Sequence, residues 1–195
     1  MAENTLSRSS TLDSITARAI FTPVALAFAA AALVALCAQV SVPLPFTPVP
    51  LNLAPGAVLF LGLALGPRLA FASLCLYLLE GALGLPVFSP HAPAGLAHLL
   101  GATGGYLFGY PIGAAVAGLI YRRSSRSFVR ALAGAAVGSL LILVAGACWL
   151  KLLTGMPLGL VSTQAVLPFL PGDALKVCAA AGAAGLTETF RNRLR

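Results

Sequence analysis

The sequence predicts an all-α membrane protein with six transmembrane helices and both termini in the cytoplasm, and three observations carry that prediction. Hydrophobic residues make up 59% of the 195 residues, charged residues only 9%, and the mean hydropathy is +0.96. A typical soluble domain carries roughly 25% charged residues. No charged residue lies between Arg18 and Arg68, or between Glu80 and Arg122. Each interval is long enough to hold more than one span of about 20 residues. The arginines are the third observation, because a six-span map puts all ten of them on one side, the positive-inside pattern.

The elements follow in order. Residues 1–18 are polar, contain two arginines and lack the apolar core and small-residue cleavage site of a secretory signal. They are expected to form a cytoplasmic tail. The first span runs over residues 19–40, and prolines 43, 45, 48, 50 and 55 follow it. Proline removes backbone donors, so this stretch is expected to be a loop or a capped re-entrant piece. A short second span covers 51–65, a third 69–84, a fourth 104–121, a fifth 128–152 and a sixth 168–190, with Pro, Gly and polar clusters at the breaks. Residues 19–190 thus form one six-helix unit, and 191–195 a basic cytoplasmic tail.

On this map Arg8 and Arg18 precede span one, Arg68 lies in the second turn, and Arg122, Arg123, Arg126 and Arg130 fill or flank the fourth. Arg191, Arg193 and Arg195 end the chain. A five- or seven-span count breaks the pattern. The net charge of +7 then reads as topology plus affinity for anionic membrane lipid, not as a nucleic-acid footprint, since no stacking aromatics interleave the basic residues. Glu80, Lys151, Asp173, Lys176, His91 and His98 fall toward the opposite, outer half, with the longer Pro- and Gly-rich connections. A ligand pocket is expected on that side.

The couple Asp173 and Lys176 sits at the entrance to a run of Ala, Gly, Leu and Val. Asp173 suits the first turn of a helix, where exposed N–H groups favour a carboxylate. Lys176 does not suit it, because a cation near a helix N-terminus is disfavoured. Residues at i and i+3 share a face, so the two point into one space, and charge embedded in a membrane faces a partner or a cavity. A structural ion pair and a pocket wall both satisfy that pattern. Small residues recur every four positions at Gly105, Gly109, Gly113 and Ala117, and at Ala27, Ala31 and Ala35. Such ridges allow close helix approach within this chain or, for the alanines, docking of another membrane protein. Cys37, Cys75, Cys148 and Cys178 lie in apolar segments without CxxC spacing and are expected to be small core residues. No GxxxxGK[ST], nucleophile elbow or HExxH occurs, so neither ATP hydrolysis nor another catalytic activity is expected of this chain.

Four blocks in order resemble the BioY family, the biotin-specific S components of energy-coupling-factor transporters. They are 45-PFTPVPLNL-53, 66-GPRLAFASLCLYLLEGALGLPVF-88, 101-GATGGYLFGY-110 and 168-PFLPGDALKV-177. The chain departs from the family pattern at Asn52 and Ala54, where Thr and Gln are common, and at Ala102, where Pro is common. The resemblance implies a six-helix subunit that captures biotin on the outer side and works with a transmembrane coupling subunit and two ATPase subunits, without a cofactor. It implies a biotin pocket built by Asp173 and Lys176, shaped by Tyr106 and Gly105, with Glu80, Asn52 and Tyr77 as further contacts and Trp149 as a wall. The flat ridge of alanines at 27, 31 and 35 is expected to dock the coupling subunit that the resemblance implies.

Overall fold

The computed structural model describes residues 22–90, 93–123 and 127–193, with backbone alone for 190–193. The tail expected at 1–18, His91, Arg126 and the last two residues lie outside the described residues. The elements are α1 (Thr22–Gln39), β1 (Ser41–Val42), β2 (Leu51–Asn52), α2 (Ala54–Leu65), α3 (Pro67–Ala82), α4 (Leu96–Leu99), α5 (Gly104–Arg122), α6 (Phe128–Thr154), α7 (Leu158–Ala165) and α8 (Leu170–Arg193). Each of the six expected spans coincides with a helix. By length and composition, however, among the described residues α1 and α6 alone are long and apolar enough to cross a membrane singly. The pair α7 and α8, bent by 49° at its break, adds a third.

The shortness of α2 has a structural reason. Its 12 residues rise about 18 Å, well under the roughly 30 Å of a hydrocarbon core. It stands in the centre of the bundle, with Val58, Leu59 and Leu63 at most 1% exposed, so protein and not lipid surrounds much of it. Gly66, at φ 82°, ends α2 by donating its N–H to the Gly62 carbonyl, and Pro67 starts α3 directly. That left-handed geometry favours glycine at the junction. The Arg122 guanidinium lies against Gly66 and donates to the Ala64 carbonyl at 3.0 Å.

The glycine ridge of α5 faces α6. A Cβ on Gly113 would sit 2.8 Å from the Gly138 carbonyl, and one on Gly138 would sit 2.6 Å from the Gly113 carbonyl, so the two backbones need glycine on both sides. The capped α6 runs 27 residues, about 40 Å, from Ser127, whose hydroxyl accepts from the Arg130 N–H, to the left-handed Gly155.

The junctions sort to two ends. Arg122 on Gly66 places the α2–α3 and α5–α6 connections together, with Arg68, Arg123 and Arg130 beside them. At the other end Gln39 donates to the Pro86 and Phe88 carbonyls, Ser89 donates to Ser41, Trp149 donates to the Gly101 carbonyl, and Thr47 donates to the Gln164 carbonyl. The helices α2, α3, α5 and α6 therefore run between an arginine end and a loop end.

The proline-rich stretch forms a loop over residues 43–50, closed at its base where β1 and β2 pair antiparallel, Ser41 with Asn52 and Val42 with Leu51. This adds a small ribbon to an otherwise helical fold, and α4 and α7 add two short helices within the Pro- and Gly-rich connections. The cysteines are not core residues: Cys75, Cys148 and Cys178 are exposed on the bundle surface and Cys37 is partly buried. Of the alanine ridge of α1, Ala31 is buried and Ala27 and Ala35 are half-buried. Ala31 is 0% exposed and, with Ala30, Val34 and Ala38, forms the inward stripe of α1, while Val24, Phe28 and Leu36 face out. The smallest side chains lie where this helix meets its own bundle, because close approach requires them.

Candidate functional site

At the loop end, one cavity brings together residues from five elements. It is lined by Val49, Pro50 and Asn52 of the ribbon, Pro55 of α2, Thr103 and Tyr106 at the start of α5, Ile142 and Leu143 of α6, and Phe169, Asp173 and Lys176 at the start of α8. The 49° break between α7 and α8 lies directly before the residues that α8 contributes. The Asp173 N–H donates to the Phe169 carbonyl at 2.8 Å, which fixes the first turn.

Asp173 is 8% exposed and both of its oxygens are engaged. Lys176 Nζ donates to Oδ1 at 3.1 Å, and the Ser139 hydroxyl of α6 donates to Oδ2 at 3.0 Å. The two charged side chains are each 11% exposed. A buried charge persists only when paired and hydrogen-bonded, and this constellation meets both conditions. The aliphatic stem of Lys176 lies on Gly56, with its Cγ 3.4 Å from where a Cβ on that glycine would stand. An ammonium has three donors and a carboxylate about four lone-pair sites. Beyond their mutual contact, the pair therefore keeps both donor and acceptor capacity toward the cavity.

The remaining walls are held by bonds made elsewhere. Tyr106 donates its hydroxyl to the Ala165 carbonyl at the end of α7, so its ring and not its O–H is presented, 6.2 Å from the ring of Phe169. Asn52 Oδ1 accepts from the Ala54 N–H at 3.0 Å, at the start of α2. In this structure the cavity is only about 40 Å³, well below the roughly 300 Å³ at which small-molecule pockets begin. A ligand must displace part of the wall to enter.

Of the candidate residues, Asn52, Tyr106, Asp173 and Lys176 converge on this cavity. Tyr77, Gly105, Glu80 and Trp149 stand outside it. Tyr77 is fully buried, donates to the Val87 carbonyl at 3.2 Å and packs between Phe88 and Tyr110. Gly105 is the seat for Trp149 and Ala145 of α6, Glu80 is half-buried in the last turn of α3, and Trp149 ties α6 to the turn before α5. Ser139, Thr103 and the apolar wall of Ile142, Leu143 and Phe169 were not anticipated from the sequence. Ser139 did leave a signal, being the sole hydroxyl between Phe128 and Leu153.

The family model described as the BioY family matches residues 7–193. A protein of Pyrococcus horikoshii named a probable biotin transporter BioY is 40% identical over 123 residues, covering 63% of this chain and 70% of that one. The biotin transporter BioY of Thermotoga maritima is 36% identical over 110 residues, covering 55% of this chain and 61% of the relative. Among solved structures, the S-component for biotin from an ECF-type ABC transporter superposes with a TM-score of 0.78 at 23% identity, over 86% of this chain and 92% of that one. At that identity the superposition establishes the shared fold.

Proposed function

Since the chain belongs to the BioY family, we propose that it is the biotin-binding S component of an energy-coupling-factor transporter, with biotin as transported ligand and no cofactor. Its relatives are biotin transporters, not enzymes. The reading includes six membrane spans, termini and arginine end in the cytoplasm of a prokaryotic cell, and the loop end outside. The alternation of helices between two ends and the clustering of Arg68, Arg122, Arg123 and Arg130 at one of them support it. Its partners are a transmembrane coupling subunit and two ATPase subunits.

The observation that carries the proposal is the meeting of the Asp173–Lys176 pair with an apolar wall in one enclosed cavity. Biotin offers ureido N–H donors, a ureido carbonyl, a thioether and an apolar chain ending in carboxylate. Asp173 accepts from a ureido N–H while Lys176 donates to the ureido carbonyl, so each charge keeps a partner in a site closed to water. Tyr106, Phe169, Ile142 and Leu143 cover the sulfur-bearing ring and the chain. Asn52 holds the ribbon over the site, and Ser139 keeps the carboxylate of Asp173 oriented.

Calorimetric titration of the purified protein with biotin, and in parallel with thiamine and riboflavin, tests the proposal. Saturable binding of biotin alone is expected. Binding of either other vitamin in its place, or of none, refutes it.

A further inference from the structure

In the cavity that holds Asp173 and Lys176, both charges come from one turn of α8, and the Ser139 hydroxyl of α6 donates to Asp173 Oδ2. Two further polar atoms of the wall are committed to the fold. Asn52 Oδ1 accepts from the Ala54 N–H, and the Tyr106 hydroxyl donates to the Ala165 carbonyl. Thr103 makes no capping bond from its side chain. The rest of the wall, Val49, Pro50, Pro55, Ile142, Leu143 and Phe169, presents hydrocarbon. The rings of Tyr106 and Phe169 lie 6.2 Å apart.

These groups read different parts of a ligand. A carboxylate accepts and an ammonium donates, so the pair selects an N–H donor next to a carbonyl acceptor, which a cyclic urea presents on neighbouring atoms. A thioether has no donor and accepts only weakly, so it satisfies none of the polar groups in the wall. Its contacts are with hydrocarbon and aromatic rings, and they are worth less than a hydrogen bond to a charged group. A hydrocarbon group of similar size meets the same wall. Resting on the reading of this cavity as the biotin site, we propose that it recognises a class wider than biotin: cyclic ureas bearing an apolar chain, with the sulfur dispensable. Desthiobiotin keeps the ureido ring and the chain and has hydrogens where the sulfur bridge was, so it is a second ligand of this site. Lipoate is the converse molecule, with a sulfur-bearing five-membered ring on an apolar chain ending in carboxylate, and no urea. Its ring covers Asp173 and Lys176 without offering either a matching partner, and burying the pair further goes uncompensated.

Calorimetric titration of the purified full chain with biotin, desthiobiotin and lipoate tests this. Desthiobiotin should bind saturably, about two- to tenfold more weakly than biotin, the loss expected from sulfur–aromatic contacts. Lipoate should bind about a hundredfold more weakly than biotin or worse, because both ureido bonds to the charged pair are missing. A deficit of desthiobiotin beyond about tenfold, or lipoate binding as well as desthiobiotin, overturns the proposal while leaving the biotin site standing. Asp173→Asn should weaken biotin and desthiobiotin by the same factor, since it removes the contact they share; a loss confined to biotin also overturns it. The comparison of ligands on the parent decides the matter even if that variant does not fold. Absence of biotin binding by the parent refutes the biotin site itself.

Discussion

Replacing Asp173 with asparagine removes one charge at the place where the proposed site depends on it most. The variant keeps the shape of the side chain and one oxygen that can accept from either Ser139 or a ligand. It loses the charge that faces Lys176 at 3.1 Å and replaces the other oxygen with a donor, in a position 8% exposed. A hydrogen bond to a charged group contributes about 1.5–3 kcal/mol, which corresponds to roughly a ten- to hundredfold loss of biotin affinity if one such bond to the ureido group is lost. Calorimetric titration with biotin reads that loss, and a thermal melt in detergent reads the accompanying change in stability. Lys176→Ala should be similarly costly. The double variant should lose less than the sum of the two, because each single change strands the other charge. The reasoning is refuted if Asp173→Asn binds biotin like the parent yet melts well below it, for then the pair only locks the start of α8.

Three further outcomes are expected. Ser139→Ala should lower thermal stability by about 1.5–3 kcal/mol, since it leaves the buried Asp173 Oδ2 without its donor; an unchanged melt would show that the hydroxyl contributes nothing there. Ala31→Trp should destabilise the protein by about 1–3 kcal/mol or more through overpacking, because Ala31 is fully buried; a parent-like melt combined with loss of binding to the coupling subunit would instead restore the docking role. Because burial depresses the pKa of His98 below its ordinary 6.5, the unfolded chain binds a proton first as pH falls. Stability from this group is then flat above about pH 6.5 and drops below it, and a pH series of melts on the parent and His98→Gln should differ only in that acid range.

How much of this was readable beforehand depended on whether a residue's role is set along the chain or across it. Asp173 and Lys176 announce themselves because i, i+3 spacing fixes a shared face whatever surrounds the helix. The glycines of α5 were legible as a packing ridge for the same reason. Spacing does not say which side of a ridge meets the bundle. The alanines of α1 therefore read equally well as a docking face, and the structure turns Ala31 inward. Ser139, Thr103 and Phe169 join the site only through the packing of α6, α5 and α8, and local pattern carries no trace of that beyond a lone hydroxyl in an apolar helix. Gly105 and Tyr106 are adjacent in sequence, yet a helix turns about 100° between neighbours, so Tyr106 faces the cavity and Gly105 faces Trp149. The pairing of Ser41 and Val42 with Asn52 and Leu51 was hidden because each strand is only two residues long, too short for alternation to register. The helix α7 likewise fell inside a Pro- and Gly-rich connection, although Pro157 stands just before it as its N-cap.

The most direct test of the account is an experimental structure of the purified chain with biotin bound. The account predicts the ureido ring within hydrogen-bonding distance of Asp173 and Lys176, the ring of Tyr106 against the bicyclic body, and a cavity enlarged beyond its present 40 Å³ by displacement of the ribbon or α7. Biotin resolved elsewhere, for example in the open apolar groove between Phe60 and Ala180, with the Asp173–Lys176 pair untouched, would contradict it.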